Sequence, residues 1–354
     1  MNSLLEPSAY YSDEIFNIEI EKIYNSSWIY LGHECEFLNN NDFKRVSFKG
    51  NELVVQNFRG DLKCFLNVCS HRHSRIQLDR EGNRPFFCPY HGWGYNKDGI
   101  PSGIPKKPLF NYSREDLDCL KLKSYEIDRC GRFLFARMDK CKIDLPSYLG
   151  EYFEKLDEIS NAIYEKIDVN RFESTTNWKI IVENTLESYH VNLIHEETFL
   201  KLGTSGMTFQ FSEKHSSWIT SLKESYNAKS NQRIYKHFSN DIDYFIDGYE
   251  HIHIFPNIMI SSTFGKSFNI SRVDPINSRH SNFQSEVFLS KYHANPIIEA
   301  FKEQLINFNR KVFEEDKAIC EEVQIGSELS IYSGQLSQEE ERVLFFQKAI
   351  KNYV

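Results

Sequence analysis

The sequence predicts an α+β fold in which a small antiparallel β domain precedes a domain of antiparallel strands and long helices. Three observations lead to this prediction. Short strand-like segments bounded by turn residues fill the first third of the chain, among them RVSFKG, ELVVQNF and KCFLNVC. Two stretches, 177–202 and 309–326, carry apolar residues at helical spacing. Between them lie further alternating segments, HIHIFPNIMISSTF and FQSEVFLSKYH, which predict strands.

Two domains follow from the length of the chain and from the order of these segments. A chain of 354 residues is long enough to bury two hydrophobic cores. We expect a helical lead over about 12–25, and a β domain whose last strand-like segment is RFLFARMD at 132–139. Pro146 and the polar residues after it mark a boundary. The predicted domains are therefore 1–145 and 146–354.

Four potential metal ligands lie close together in the first domain. Cys69 and His71 form Cys-x-His, and after sixteen residues Cys88 and His91 form Cys-x-x-His. Two thiolates and two imidazoles in two such loops are what an asymmetric [2Fe–2S] cluster of the Rieske kind requires, with cysteines on one iron and histidines on the other. A structural zinc site also uses Cys₂His₂, but its usual spacing is C-x₂₋₄-C followed by H-x₃₋₅-H. The spacing therefore favours the iron–sulfur cluster over zinc.

A second group of potential ligands lies in NWKIIVENTLESYHVNLIHEETF, where Glu187, His190 and His195 form carboxylate-x₂-His-x₄-His. Two histidines and one carboxylate on one side of an iron are the ligand set of non-haem Fe(II) oxygenases, and this set leaves other positions open. We expect a helix here, with Glu183, Glu187 and His190 on one face. Because His190 and His195 would be about 140° apart on a regular helix, we expect a π-bulge or a helix end between them.

The carboxylate ligand is expected on the other helical stretch. Asp316 is the best candidate, in NRKVFEEDKAICEEVQIG, whose apolar residues would form a buried stripe. Glu314, Glu315 and Glu321 compete with it, since most acids on a helix simply face solvent. Composition alone does not choose among the four.

Composition argues against several classes of partner and location. The net charge of −8 argues against a nucleic-acid partner. The first residues, MNSLLEPSAYYSDEIF, contain no charged-then-apolar leader, and no apolar run approaches about eighteen residues, so we expect neither export nor a membrane span. The 8 cysteines then predict cluster ligands and buried thiols in a cytoplasmic protein rather than disulfides.

With both motifs established, the chain resembles the oxygenase (alpha) component of Rieske non-haem iron oxygenases. The resemblance extends from about residue 10 to about residue 345 and includes SSWIYLGHECEF, the cluster segment, the NWK, VEN and YH segments of the second motif, IFPNIM and EEDKAICEEVQIG. It is most specific to the branch of carnitine, choline and glycine-betaine monooxygenases. That branch has Glu at the position of Glu187, where many aromatic-ring dioxygenases have Asp.

The resemblance implies a fold and a set of ligands. For the second domain it implies a helix-grip arrangement, in which a curved antiparallel sheet closes over a long helix. It implies that His190, His195 and Asp316 bind one Fe(II), which settles the choice of carboxylate. It also implies that Glu187 joins His190 to His91 of a neighbouring subunit and carries electrons between the two metals. Such a bridge requires a cyclic homo-oligomer, usually a homotrimer.

Some residues next to the ligands correspond to family positions, and others only flank the second motif. Family members usually have glycine where this chain has His73, and a residue with a Cβ does not adopt a glycine's backbone conformation cheaply. We therefore expect the first cluster loop to differ locally. Arg72 and Trp93 occupy positions that cover the cluster in the family. Asn184 and Tyr189 flank the metal-binding helix.

The expected function is that of a Rieske-type oxygenase with one [2Fe–2S] cluster and one Fe(II) per subunit. A separate reductase or ferredoxin would deliver electrons from NAD(P)H, since the chain has no Rossmann glycine fingerprint and no C-x₄-C-x₂-C ferredoxin pattern. O₂ would be the co-substrate, and hydroxylation or dealkylation of a small organic molecule is the favoured reaction. Cis-dihydroxylation of an aromatic ring is the alternative reaction. The alternative class is an electron carrier or binding module that does not activate oxygen.

Overall fold

The computed structural model divides the chain into two compact units. One unit is Asn25–Leu145, and the other combines Met1–Tyr24 with Pro146–Val354. Each unit has its own antiparallel sheet. The structure describes residues 1–48, 51–196, 198, 204–222, 233–239 and 244–354.

In four helices, the first backbone N–H groups donate to the side chain of the residue before the helix. These helices begin at Asp13, Arg114, Trp178 and Pro296. Ser12 accepts a hydrogen bond from the N–H of Ile15, and Asn177 accepts one from the N–H of Lys179. Within the described ranges, no helix is both long and apolar enough to cross a membrane. The helices are α1 (Asp13–Lys22), α2 (Arg114–Cys119), α3 (Leu145–Leu149), α4 (Tyr152–Ala162), α5 (Trp178–Leu186), α6 (Val191–Ile194), α7 (Pro296–Leu329) and α8 (Glu341–Lys351).

The unit Asn25–Leu145 is a small β domain. Its strands are β1 (Trp28–His33), β2 (Asp42–Phe48), β3 (Asn51–Phe58), β4 (Asp61–Leu66), β5 (Glu81–Asn83), β6 (Gly94–Tyr95), β7 (Pro101–Gly103), β8 (Ser124–Cys130) and β9 (Phe133–Arg137). Seven of them form one antiparallel sheet in the order β1-β9-β8-β4-β3-β2-β5, and β6 pairs with β7 in a separate ribbon. The loop before β5 and the loop before β6 contain the two cluster motifs.

A compact hydrophobic core lies beneath these two loops. Phe65 and Phe86 stack with their ring centroids 5.4 Å apart. The same buried cluster includes Cys69, Cys88 and Trp93, each at most 2% exposed. The bases of both loops are therefore part of the core, which holds them in place by close packing.

The second unit is built on a seven-stranded antiparallel sheet in the order β10-β16-β15-β14-β13-β12-β11. Its strands are β10 (Glu165–Ser174), β11 (Thr204–Ser212), β12 (His215–Leu222), β13 (Tyr249–Ile254), β14 (Ile258–Thr263), β15 (Ser267–Asn277) and β16 (His280–Leu289). The segments HIHIFPNIMISSTF and FQSEVFLSKYH form strands as predicted, although most residues of β13, β14 and β16 are buried rather than alternating with exposed ones.

Helix α7 packs on this sheet. The Phe313 ring lies 4.6 Å from the Phe283 ring of β16, centroid to centroid. One turn earlier, Asn309 accepts a hydrogen bond from Asn269 of β15 at 3.1 Å. A curved antiparallel sheet with a long helix across it is the predicted helix-grip arrangement, so the predicted α+β fold class is confirmed.

The first residues of the chain pack against helix α5 of the second unit. The ammonium group of Lys179 and the carboxylate of Glu19 are fully buried and 2.8 Å apart. The hydroxyl of Tyr10 donates to Glu183 at 3.0 Å, and burial raises the pKa of Glu183 to about 7. The predicted division kept residues 1–145 together, whereas these contacts join the segment 1–24 to the unit that contains α5.

Candidate metal centres

In the structure, the two cysteines of the cluster motifs lie in one place and the two histidines in another. Cys69 and Cys88 lie in the same buried core and are 1% and 2% exposed. The rings of His71 and His91 lie 4.7 Å apart, centroid to centroid, and His91 is exposed. The thiols therefore face the interior of the unit, and the imidazoles face its surface. Burial is the main cause that raises the pKa of the Cys69 thiol, and Cys88 adds to it.

The two cluster loops have the same backbone geometry. The carbonyl of Cys69 accepts from the N–H of His73 at 3.0 Å, and the carbonyl of Cys88 accepts from the N–H of Gly92 at 3.0 Å. In both loops the cysteine N–H donates at 2.8 Å to a carbonyl five residues further on. His73 has a φ of +61° and Gly92 a φ of +73°. The expectation that His73 changes the loop is therefore wrong, because this histidine adopts the left-handed conformation of a glycine.

Aromatic side chains contact both kinds of ligand. The indole of Trp93 stacks on the imidazole of His71 with centroids 4.6 Å apart and planes 3° from parallel. The hydroxyl of Tyr95 lies 3.0 Å from the sulfur of Cys69 and accepts from the N–H of Ser70 at 3.1 Å. Burial is the main cause that raises the pKa of Tyr95, which therefore stays protonated and able to donate to a thiolate.

Of the two residues expected to cover the cluster, only Trp93 contacts a ligand directly. Arg72 is exposed, and its guanidinium lies 5.9 Å from the ring centroid of Tyr90. Tyr90 in turn lies against His91, with centroids 3.8 Å apart. Arg72 and Tyr90 therefore form the surface next to the exposed cluster histidine.

The helix with the second motif is shorter than predicted. Helix α5 ends at Leu186, and Glu187 has an extended backbone with φ −123° and ψ 169°. Helix α6 then begins after His190 and ends before His195. The expected helix end between the two histidines is present, but Glu183, Glu187 and His190 do not share a helical face, so that prediction is wrong.

His190, His195 and Asp316 come together at one point. The Nε2 atoms of His190 and His195 lie 3.6 Å and 3.0 Å from the same carboxylate oxygen of Asp316. One ligand atom from each residue lies within 4.8 Å of the others. His195 is 1% exposed, and the side chains of His190 and Asp316 are 17% and 14% exposed. This arrangement is a partly exposed set of two imidazoles and one carboxylate.

The three competing glutamates have other positions. Glu315 faces the opposite nitrogen of His195, with its oxygen 2.8 Å from Nδ1, and accepts from the hydroxyl of Thr198 at 2.9 Å. Glu314 is exposed. Glu321 accepts from the N–H of Thr175 at 3.2 Å. Only Asp316 faces the Nε2 atoms of both histidines.

Each histidine at this centre has a carboxylate on its Nδ1 atom. Glu187 binds Nδ1 of His190 through one oxygen and accepts from the backbone N–H of His190 through the other, at 3.2 Å. In the same way, an oxygen of Glu315 lies 2.8 Å from Nδ1 of His195. A carboxylate on Nδ1 keeps the proton on that atom and leaves the lone pair of Nε2 available for a metal.

The electrostatics of His195 follow from its two acidic neighbours. Burial disfavours a charged imidazole, but the hydrogen bonds and charges of Asp316 and Glu315 together outweigh it and raise the pKa of His195. A bound cation would replace the proton between His195 and Asp316. Protons and metal therefore compete for this centre.

Of the two residues expected beside the metal-binding helix, one contacts a candidate ligand and one is exposed. Two further residues that contact candidate ligands, Glu315 and Tyr95, were not predicted to do so. Asn184 donates to Asp316 at 2.8 Å and so positions the carboxylate, whereas Tyr189 is 63% exposed. Sequence reasoning treated Glu315 only as a competing ligand, although its place beside Asp316 on a helix also allows it to orient a histidine. Tyr95 has no signal in the sequence beyond its place in the segment HGWGYN.

Both donor sets fit the groups that the sequence predicts. Separate thiol and imidazole pairs suit a two-iron cluster with one ligand type on each iron, whereas a tetrahedral zinc site has no need of such separation. The second centre has the ligand types of a non-haem Fe(II) site, two histidines and one carboxylate.

Family models match both parts of the chain. Residues 27–125 match the Rieske [2Fe–2S] domain, and residues 156–354 match the ring hydroxylating alpha subunit (catalytic domain). The chain belongs to the family of ring-hydroxylating alpha subunits. The family predicted from the two motifs is therefore confirmed, as are the cluster and the mononuclear iron as the family's cofactors.

Several curated proteins are similar to about half of the chain. The carnitine monooxygenase oxygenase subunit of Acinetobacter pittii is 30% identical over 199 residues, which are 53% of this chain and 52% of that protein. The toluate 1,2-dioxygenase alpha subunit of Pseudomonas putida is 30% identical over 193 residues, which are 51% of this chain and 42% of that protein. The matched region spans about half the length of these relatives or less.

Solved structures share the fold over nearly the whole chain. A quaternary ammonium Rieske monooxygenase in complex with L-carnitine superposes with a TM-score of 0.81 at 19% identity, covering 98% of this chain and 94% of that one. Naphthalene 1,2-dioxygenase from Rhodococcus sp. superposes with a TM-score of 0.77 at 17% identity, covering 99% and 94%. At these identities the likeness establishes the fold alone.

Replacing His73 tests the geometry of the first cluster loop. We expect His73→Gly to keep the cluster and to raise the free energy of unfolding by up to about 1 kcal/mol, because the left-handed conformation costs a residue with a Cβ about 1–2 kcal/mol. His73→Val should destabilise the protein by about 1 kcal/mol or more, since β-branched residues are disfavoured there. Urea unfolding and iron content per chain measure both effects. Arg72→Val is the matched control, and equal stability of the two valine variants would contradict the argument.

Replacing Glu315 tests its role as the partner of His195. We expect Glu315→Gln to weaken Fe(II) binding by about 10–100-fold at alkaline pH, the usual effect of losing such a partner. Because Glu315 helps to raise the pKa of His195, the pH below which the Fe(II) affinity begins to fall should also be lower in the variant than in the wild type. Fe(II) titrations of metal-free protein across the pH range measure both changes. Glu314→Gln is the control, and a Glu315 variant that matches it would show that Glu315 does not orient the ligand.

Proposed function

We propose that this protein is the oxygenase component of a Rieske-type oxygenase that hydroxylates or dealkylates a small organic substrate. In this proposal Cys69, His71, Cys88 and His91 hold the [2Fe–2S] cluster. A separate reductase or ferredoxin supplies electrons from NAD(P)H, and O₂ is the co-substrate. When bound, the cluster and the Fe(II) supply the one-electron and oxygen chemistry that side chains lack.

The observation that carries the proposal is the convergence of His190, His195 and Asp316 on one point, with ligand atoms within 4.8 Å of one another. An electron carrier or a binding module has no need of a second metal site with this donor set. The chain's own residues prepare the site, because Glu187 and Glu315 orient the two imidazoles. Aromatic-ring dioxygenases and monooxygenases are both among the similar proteins, so the products of the test below must decide between the two reactions.

We further propose that Glu187 links His190 to His91 of a neighbouring subunit in a homotrimer. One oxygen of Glu187 binds His190, and His91 is exposed in its own unit. Large apolar side chains are exposed close to both ends of the proposed link. These are Tyr90 (55%) and Leu109 (77%) near the cluster, and Tyr189 (63%) and Leu193 (79%) near His190. Exposed apolar patches of this kind are typical of subunit interfaces.

A cytoplasmic location fits this proposal. Cys64 and Cys320 are buried free thiols, and such thiols persist where the compartment keeps cysteines reduced. The electron donors of the proposed reaction are found in the same compartment.

A single-turnover assay tests the oxygenase function. Chemically reduced protein loaded with Fe(II) is mixed with O₂ and a metabolite extract, and the products are compared by mass spectrometry with those of Asp316→Ala. We expect a metabolite that gains one oxygen atom or loses a methyl group with the wild type only. The Asp316 variant should keep the EPR signal of its reduced cluster, because its change is confined to the Fe(II) ligands.

The outcomes of this assay separate the candidate functions. Glu314→Gln, at an exposed position two residues from Asp316, should behave like the wild type. A gain of two oxygen and two hydrogen atoms would identify a dihydroxylating dioxygenase. Product formation by Asp316→Ala would show that the ligand assignment is wrong, and no product from a fully loaded wild type would favour the electron carrier.

Replacing Glu187 tests the proposed electron path. We expect Glu187→Gln to retain both metals but to slow reoxidation of the cluster in a single turnover by about tenfold or more, because an amide cannot bind two imidazole N–H groups as a carboxylate does. Stopped-flow absorbance of the cluster measures this rate. Glu196→Gln, an exposed neighbour, is the control. An unchanged rate in the Glu187 variant would remove this residue from the path, and light scattering tests the homotrimer separately.

A further inference from the structure

The loop 104–112 of the β domain lies beside the candidate cluster and carries a positive charge that the proposed function does not use. Lys106 and Lys107 are both exposed, and neither forms an ion pair with a residue that the structure describes. The segment between Asp98 and Glu115 contains no acidic residue. The loop therefore presents two cations to the surroundings of the protein, with no acid near them in the sequence.

The backbone of this loop is held in one conformation. Lys107–Phe110 form a single 3₁₀ turn, and Lys106 before it and Asn111 after it have φ values of +56° and +51°. This left-handed conformation is unfavourable for residues with a Cβ, and such strain is concentrated at functional sites. Pro105 packs on the second cluster loop so closely that a Cβ at Gly92 would lie 3.2 Å from its Cγ. The packing therefore fixes the loop next to the cluster motif.

Aromatic side chains connect the loop to one of the two cluster histidines. Tyr112 stacks on Phe110 with centroids 5.3 Å apart, and the two rings lie 6.2 Å and 5.6 Å from the ring of Trp93. Trp93 in turn lies parallel to the imidazole of His71 at 4.6 Å. Because Tyr112 is half-buried, a series of neighbouring rings leads from the surface of the loop to His71.

The other cluster histidine has different surroundings. His91 is exposed and lies against Tyr90, and the proposed link to Glu187 of a neighbouring subunit would occupy it. An electron donor bound on the same side would compete with that subunit. His71 and its aromatic neighbours give the cluster a second side, on which electrons can arrive while His91 passes them on.

The two units of the chain differ in charge. The unit Asn25–Leu145 contains 20 Lys and Arg and 15 Asp and Glu, a net charge of +5, whereas the remaining residues contain 22 and 35, a net charge of −13. Long-range charge guides encounters between proteins. A basic donor would be attracted to the unit without the cluster motif, and an acidic donor to the unit that contains it.

We infer that the loop 104–112 is the docking site of an acidic electron-donor protein, and that electrons reach the cluster on the side of His71. The inference rests on the proposed function and adds to it the charge of the donor and the place where the donor binds. One electron leaves the reduced donor and reduces the cluster by one electron, and no bond forms or breaks. Electron-transfer encounters are among the smallest protein interfaces, which suits a single short loop.

Anaerobic stopped-flow absorbance tests the inference on the full-length protein with its cluster oxidised. The probe is a reduced plant-type ferredoxin, an acidic protein whose low potential makes the transfer favourable. In Lys106→Glu/Lys107→Glu we expect the second-order rate constant of cluster reduction to fall about tenfold or more at low ionic strength, because both positions then repel the donor. The difference should shrink as salt is added.

A probe of opposite charge should give the opposite result. Oxidised cytochrome c is a basic acceptor, and its high potential lets it take one electron from the reduced cluster. We expect this reaction to be faster in Lys106→Glu/Lys107→Glu than in the wild type. A general defect of the cluster would slow both reactions, so the pair of probes separates docking from damage.

Two matched variants make the test specific. Lys106→Arg/Lys107→Arg keeps both charges and should keep the rate constant for the ferredoxin. Lys348→Glu/Lys351→Glu makes the same change of net charge at two exposed positions of the other unit, and should slow the reaction much less. The EPR signal after reduction with dithionite shows that each variant has kept its cluster.

The contrary outcomes are equally definite. An unchanged rate constant in Lys106→Glu/Lys107→Glu, an equal loss in both glutamate variants, or no reduction of the wild type by the ferredoxin would overturn the inference. Loss of the oligomer in light scattering of Lys106→Glu/Lys107→Glu would assign the loop, with its exposed Leu109, to the subunit interface instead. The assay needs no Fe(II), O₂ or substrate, so its result does not depend on the outcome of the oxygenase assay.

Discussion

His190 and His195 can approach the same carboxylate because they do not lie within one continuous helix. Helix α5 ends at Leu186, before both histidines, and the short helix α6 begins after His190 and ends before His195. The extended backbone at Glu187 lets its carboxylate reach both the backbone N–H and the ring of His190. The residue that ends the helix therefore also orients the first ligand. One short turn later, His195 faces the same oxygen of Asp316 as His190 does. The geometry of the centre therefore depends on two helix ends, that of α5 before Glu187 and that of α6 before His195.

In both candidate metal centres, neighbouring side chains hold the ligands in place. In each, a short irregular segment supplies ligands whose second contacts are fixed by neighbours. The core holds Cys69 and Cys88, Trp93 stacks on His71, and carboxylates hold the imidazoles of the other centre. The more exposed member of each centre is a histidine, His91 or His190.

The sequence was most informative where chemistry restricts residue types. Cysteine and histidine are uncommon, and their spacing in two short loops identified the cluster. Acidic residues are common, so spacing could not separate Asp316 from Glu315. Only the structure shows that one faces Nε2 of His195 and the other Nδ1. The prediction for His73 was wrong because a strain of about 1–2 kcal/mol is small beside the hydrogen bonds of its loop. Domain membership of residues 1–24 depends on tertiary contacts such as Glu19 with Lys179, which sequence order does not reveal.

The division of the chain makes the β domain an insertion in the catalytic unit. The chain leaves that unit after Tyr24 and returns to it at Pro146. At the two ends of the insertion, the N–H of Lys140 donates to the carbonyl of Asn25 at 2.8 Å, so the entry and exit strands are neighbours. Once folded, the insertion spans a short distance, and closing it adds little entropy cost to folding of the host unit. The β domain is therefore a single excursion of the chain whose two ends lie side by side.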